Sequence, residues 1–284
     1  MRNSLTMVNV SVVLAFYNRI DYLRLVLSGF ERQSFRDFEI IIADDGSSPQ
    51  VVEEVEKLSA SFPLPVTHLW QEDKGFRKNK ILNRAIVAAK SDYLLFVDAD
   101  CVPHSEFVNE HFKCRQKGKC LTGRRVNLSE KITNVLTLHN IKEGFLEKKI
   151  YLLISDGIFG KSFDVEKGFH FKNDFLRKYF NKKKRGLLGC NFSIHKEDFL
   201  KINGFDERYE APSIGEDSDV EFRLSLCGVE VKSLNNIAVQ YHLYHKLQSR
   251  PEENLKLFGE VKKSKIYFTP NGIMHKTGEL KDII

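Results

Sequence analysis

The stretch Tyr93–Phe107, YLLFVDADCVPHSEF, decides how the chain is read. Tyr93–Val97 is an apolar run of strand length, and it ends on Asp98-Ala99-Asp100. Two carboxylates one residue apart repel each other unless positive charge sits near them. Alternate residues at a strand end can aim at one point. A divalent cation held there relieves the repulsion and keeps coordination positions open for phosphate oxygens. A solvated turn carrying two acids is the plain alternative.

Working backwards, Val10–Ala15 (VSVVLA) is a β-rich run, and Leu23, Val26, Leu27 and Phe30 recur at helical spacing. FEIIIADDGSSP follows: a strand over Phe38–Ala43, then Asp44-Asp45-Gly46, with Ser48 as N-cap and Pro49 opening a helix. Val66–Trp70 is a third strand, and Leu82, Ala85, Ile86 and Ala89 mark another helix before Tyr93. Strands alternating with helices predict a mostly parallel, Rossmann-like sheet covered on both faces. Such sheets bind ligands at the carboxyl ends of their strands. Three features fall there: Phe16-Tyr17-Asn18, Asp44-Asp45-Gly46 and Asp98-Ala99-Asp100.

Working forwards, residues 125–186 mix glycines, aromatics and lysines without a clean period, and SDGIFGKSF reads as loop. Order returns with a short strand, a helix starting near His195 and a stop at Asn203-Gly204. In GEDSDVEFRLSLCG, Val220, Leu224 and Cys227 share a helical face, and four acids (Glu216, Asp217, Asp219, Glu221) crowd its start. VQYHLYHK then places His242 and His245 three apart. The expected organisation is one continuous domain: 1–124 as the alternating half, 125–186 as an insertion, 187–250 as a second ordered part and 251–284 as a tail.

The totals set bounds. The 284 residues are 42% hydrophobic and 29% charged, which suits a folded protein. No apolar run approaches the ~20 residues of a membrane-spanning helix, and the short apolar run near the N-terminus reads as a first strand rather than a leader. Five cysteines without a CxxC pair read as reduced thiols of a cytoplasmic protein, not a zinc site. The net charge of +6 equals that of residues 172–185 alone, which hold seven cations and one acid. That argues against a general nucleic-acid surface. It marks one basic loop, whose interleaved Phe175, Leu176, Tyr179 and Phe180 suit peripheral contact with an anionic membrane.

Two further groups carry chemical signals. Phe76-Arg77-Lys78-Asn79-Lys80 puts three cations at a helix start, where the dipole disfavours them unless an anion such as a diphosphate is near. His242 and His245, folded back beside Asp100, would suit Mn2+ or Mg2+. Taken singly, each reads better as a packed or surface histidine.

Taken in order, VSVVLAFYNR, ADDGS, GFRKNKILNRA and FVDAD resemble the family 2 glycosyltransferases of GT-A fold. GCNFSIHKEDFLKINGFDERYE, GEDSDVEFRL and HLYH resemble the galactosyltransferase-type module shared with β-1,4-galactosyltransferases and bacterial chondroitin-polymerase-like enzymes. The resemblance implies an inverting, metal-dependent transfer from a UDP-sugar to a hydroxyl of a saccharide or lipid-linked saccharide acceptor, in surface polysaccharide synthesis. It implies that Asp45 holds the uracil near Ala15, Phe16 and Asn18, and that Phe76, Lys78 and Lys80 line the nucleotide. Asp98 and Ala99 would meet the ribose or sugar, and Asp100 the metal. Gly189, Cys190 and Asn191 would flank the donor sugar. Glu216 and Asp217 would face the acceptor, with Asp217 as base; His245, and His242 in place of a methionine, would ligate the metal. The tryptophan-rich acceptor stretch of the animal relatives is replaced here by YEAPSIGED. Two alternatives are a catalytically inactive nucleotide- or carbohydrate-binding protein on the same fold and a sugar-nucleotide pyrophosphorylase. The latter would want a glycine-rich loop near the N-terminus, which LAFYNRIDY does not offer.

Overall fold

The structure is a computed structural model and describes residues 8–212, 216–246 and 252–274. Its first half alternates strand and helix: β1 (Val10–Phe16), α1 (Ile20–Glu31), β2 (Phe38–Asp44), α2 (Pro49–Ser61), β3 (Val66–Trp70), α3 (Lys78–Ala88) and β4 (Tyr93–Asp98). Then come β5 (Cys101–Pro103), α4 (Phe107–Cys114), β6 (Lys119–Thr122) and β7 (Arg124–Asn127). Short helices α5 (Glu130–Asn134), α6 (Leu138–Lys142) and α7 (Phe145–Lys148) lead to α8 (Ile150–Phe159) and α9 (Asp174–Phe180). The chain closes with β8 (Asn191–His195), α10 (Lys196–Leu200), α11 (Glu216–Leu226), β9 (Glu230–Ser233), β10 (Val239–His242) and α12 (Glu252–Ser264).

The main sheet runs β3-β2-β1-β4-β8-β6-β9. β1 pairs in parallel with β2 and β4, and β8 lies antiparallel to β4 and β6. The chain builds outward from β1 to β3, then returns to the other side of β1 as β4. That reversal opens a crevice at the carboxyl ends of β1 and β4, where open α/β sheets take ligands. The central strands β1, β2 and β4 are buried on both faces, and their alternate residues feed two cores. Val12, Leu14, Ile40 and Leu95 pack with Val26 and Phe30 of α1. Val13, Ile41, Leu94 and Phe96 pack with Ile81, Leu82, Ala85 and Ile86 of α3. Each such fully buried side chain stabilises by roughly 1.5–3 kcal/mol.

Two expectations change. SDGIFGKSF is not simply loop, because Ser155–Phe159 complete α8. Gly157 is there for close packing: a Cβ would stand 2.8 Å from the Val165 side chain. The segment after residue 124 also does more than insert. β7 pairs in parallel with β10, and β10 pairs antiparallel with β5, forming a second sheet of order β5-β10-β7. Periodicity missed these strands because each has three or four residues, too few to show alternation. Among the described residues no helix is long and apolar enough to cross a membrane.

Candidate active site

Backbone hydrogen bonds stitch the strand ends together. The Ala99 amide donates to the Ala15 carbonyl at 2.9 Å, and the Asp45 amide donates to the Phe16 carbonyl at 3.0 Å. Register places Phe16 beside Asp44 and Ala15 beside Asp98, so all three features share one edge. Within this edge the roles divide. Asp44 is fully buried and accepts from the Ser47 amide and hydroxyl, which folds the turn. Gly46 closes that turn at φ +99°, with Asp73 backbone where a Cβ would go. Asp45 accepts from Gln71 Nε2 at 2.6 Å and from the Arg77 amide at 2.8 Å. Burial raises its pKa, and those two donors oppose the shift.

Phe16 needs a correction. Its side chain is buried in the core and cannot meet a nucleotide, so its contribution at this edge is the carbonyl. Tyr17, the first residue past the end of β1, is exposed instead, and its hydroxyl donates to Asp73 Oδ2 at 3.1 Å. Asn18 has φ 54°, takes the Ser48 amide on its Oδ1 and donates its own amide to Ser47 Oγ, which pins the turn to β1. Phe76 is half-buried and Lys80 is exposed at the start of α3.

Asp98 and Asp100 do not converge on one group. Asp98 Oδ1 pairs with Lys78 Nζ at 2.9 Å, bringing the first residue of α3 onto the end of β4. Asp100 Oδ2 lies 3.1 Å from His245 Nε2 and 3.4 Å from His242 Nε2. Their separation of over 140 residues is closed by the small sheet. β5 begins directly after Asp100, His242 is the register partner of Cys101, and the Leu243 amide donates to the Asp100 carbonyl at 2.8 Å. Burial pushes the Asp100 carboxyl up, but the two imidazoles outweigh it and hold the group well below the usual carboxylate range. The Asp100 hydrogen bond raises His245 in turn.

These atoms fit a divalent cation. The Asp100, His242 and His245 ligand atoms all lie within 4.8 Å of one another. The two Nε2 atoms face each other at 3.1 Å, a spacing two lone pairs tolerate only around a proton or a metal. His245 Nδ1 sits 3.0 Å from the Lys246 carbonyl, the second contact that fixes a ligating imidazole with Nε2 free. One carboxylate and two imidazoles suit Mn2+ and related ions.

On the other wall, Gly189 and Cys190 form the turn before β8. Asn191 is a second correction. Its side chain is fully buried, donates to the Arg124 and Ala238 carbonyls, and accepts from the Gly123 amide. It fastens β8 to the small sheet and is not available to a sugar. Of the four acids in α11, Asp219 is buried against Arg223, and Glu221 Oε2 accepts the Leu187 amide at 2.9 Å. Asp217 stands one turn before Glu221, on the same helical face, half-buried, with Oδ1 taking the Ser218 amide. α11 thus turns Asp217 toward the segment that leads into Gly189. The side chain of Glu216 lies outside the described residues.

Comparison with known proteins agrees with this geometry. Residues 11–195 match the family described as Glycosyl transferase family 2. The chain belongs to that family. Residues 169–246 match the N-terminal domain of galactosyltransferase, a stretch that contains α11 and the histidine pair. Chondroitin synthase of Escherichia coli is 25% identical over 249 residues, covering 85% of this chain and 35% of that protein. Poly(ribitol-phosphate) beta-N-acetylglucosaminyltransferase TarS of Staphylococcus aureus is 31% identical over 114 residues, 37% of this chain and 20% of its own length. The chain therefore spans about a third or less of these relatives. Among solved structures, GalNAc-T7 with UDP, GalNAc and Mn2+ superposes with TM-score 0.63 at 14% identity, covering 91% of this chain and 48% of that one. S. aureus TarS 1-349 in complex with UDP-GlcNAc gives TM-score 0.57 at 17% identity, with 89% and 66% covered. The fold of this family 2 member is accordingly GT-A.

Proposed function

We propose that this family 2 member is an inverting, metal-dependent glycosyltransferase that moves a sugar from a UDP-sugar to a saccharide hydroxyl. The observation that carries the reading is the Asp100–His242–His245 cluster beside the Lys78–Asp98 pair, at the crevice where the sheet order reverses. The related structures in complex with UDP-GlcNAc and with UDP, GalNAc and Mn2+ support the donor class. Asp45 accepts from the base, and Asp98 meets the ribose or sugar. Asp100, His245 and His242 hold Mn2+ or Mg2+, which when bound would neutralise charge on the departing diphosphate. Lys78 and Lys80 add positive charge on that side. Asp217 takes the proton from the acceptor hydroxyl as its oxygen attacks from the face opposite UDP.

The test is thermal stabilisation by UDP-, GDP- and dTDP-sugars with and without Mn2+. One UDP-sugar is expected to stabilise in a metal-dependent manner, by about 2.7 kcal/mol at a hundred times its Kd. Asp100→Asn is expected to lose the metal-dependent part. Silence across the whole panel would leave the inactive binding protein as the better reading.

Acceptor delivery at the cytoplasmic face of a membrane completes the proposal. Phe175 is 74% exposed and Tyr179 58%, on α9 beside exposed Lys182, Lys183 and Lys184. Arg177, by contrast, is engaged inward with Glu110. Attraction on the order of 1 kcal/mol per basic residue suits anionic headgroups. Changing Lys182, Lys183, Lys184 and Arg185 to serine should lower co-sedimentation with phosphatidylglycerol vesicles. Unchanged sedimentation would remove the membrane contact.

A further inference from the structure

We propose that the cavity beside the histidine pair seats an anionic acceptor sugar, one bearing a carboxylate or a phosphate, and that Arg125 grips the charge. This rests on the glycosyltransferase reading and names its acceptor class. The cavity measures about 430 Å³, and its lining includes Arg124, Arg125, Lys167, Phe163, Tyr244 and His245. That volume lies within the ~300–1,000 Å³ of small-ligand sites. Because His242 and His245 also line it, a ligand there adjoins the place proposed for the donor diphosphate.

The charge of the lining is unbalanced. Lys167 pairs with Asp164, and both line the cavity, so they offset each other. Among the described residues the two arginines have no such partner. Arg124 donates to the Gly123 and Gly186 carbonyls, each at 2.7 Å, which are neutral acceptors. Arg125 Nη1 reaches only sulfur, Cys190 Sγ at 3.2 Å and Cys101 Sγ at 3.9 Å. Among the described residues neither arginine forms an ion pair with a carboxylate. Asp98 and Asp100 act on Arg125 through space, but Lys78 and the histidines already engage them.

The fold aims this charge at the site. In the parallel β7–β10 pair, Asn127 is the register partner of His242, and Arg125 lies two residues before Asn127. Arg125 and His242 therefore project from the same sheet face. A guanidinium there offers a planar fork matched to carboxylate or phosphate, and such charge-assisted bonds are roughly twice as strong as neutral ones. Phe163, 59% exposed, and Tyr244, 37% exposed, supply apolar surface for the body of a sugar ring.

The test is ligand-observed NMR titration of the protein, with and without UDP and Mn2+. The probes are methyl glucuronide, glucose 6-phosphate and methyl glucoside. At least one charged probe is expected to bind the UDP-loaded protein ten times more tightly than the neutral glucoside, and the tighter of the two identifies the source of the charge. Arg125→Gln should abolish the preference and Arg125→Lys should keep part of it, both variants retaining the wild-type melting temperature. Equal binding of all three probes would overturn the proposal, as would a preference unchanged in Arg125→Gln. Binding of anions only without UDP would also overturn it, because Arg125 would then serve the donor diphosphate. Failure of UDP itself to bind sinks the donor reading and this proposal together, whereas failure of the anions alone sinks only this one.

Discussion

Asp217→Asn is expected to lower turnover by two orders of magnitude or more, roughly the scale of a lost general base, while leaving UDP-sugar affinity near normal. The split follows from where the residue sits. Donor contacts are proposed for the carboxyl ends of β1, β2 and β4, whereas Asp217 belongs to a separate element, α11. Its neighbours in sequence are engaged elsewhere: Asp219 by Arg223, and Glu221 by the Leu187 amide. Asparagine preserves the shape and the acceptor oxygen but cannot take a proton. The base needs little strength in the ground state, because the acceptor hydroxyl becomes acidic only as the new bond forms. Steady-state turnover with a donor-binding titration on the same preparation checks both halves. Near-normal turnover in Asp217→Asn would remove the assignment.

Arg223→Met is expected to cost about 3–5 kcal/mol of stability, the scale of breaking a buried ion pair by removing one partner. Arg223 and Asp219 are both about 1% exposed. The guanidinium donates through Nε to Asp219 Oδ2 at 2.7 Å, and through its other nitrogens to the carbonyls of Ile202 and Gly204 at 2.6 and 3.0 Å. Methionine fills similar volume yet removes the cation from the buried Asp219 carboxylate, which keeps only the long Tyr209 hydroxyl contact at 3.4 Å, and takes one donor from each of the Ile202 and Gly204 carbonyls. Burial already raises the Asp219 pKa even with Arg223 present, so the unpaired acid will protonate rather than stay charged. Urea unfolding measures the loss, and a change under 1 kcal/mol would contradict the buried-pair reading. Asp219→Leu combined with Arg223→Met should recover part of it, since an apolar pair carries no unpaired charge. The pair matters for function because it docks the helix that carries Asp217.

The sequence by itself determined the alternating half of the fold. The strands and helices from Val10 to Val97 are long enough for apolar periodicity to identify them, and the acids and glycines at their ends mark the crevice. It also marked Asp45, Asp98, Asp100, the histidine pair and the acids of α11 as groups to watch. What it could not determine was which side chains face the ligand and which hold the chain together. Asn191 and Phe16 stand next to site residues in sequence, but the first is bound on all sides and the second is core. Asp98 and Asp100 look alike in sequence, yet Lys78 takes one and two histidines take the other. The small β5-β10-β7 sheet is the deciding feature. Its strands are too short for periodicity to reveal, and its pairings join positions far apart in the chain. Such contacts exist only once the larger sheet has placed Asp100 at its edge, so tertiary structure alone brings His242, His245 and Arg125 to it.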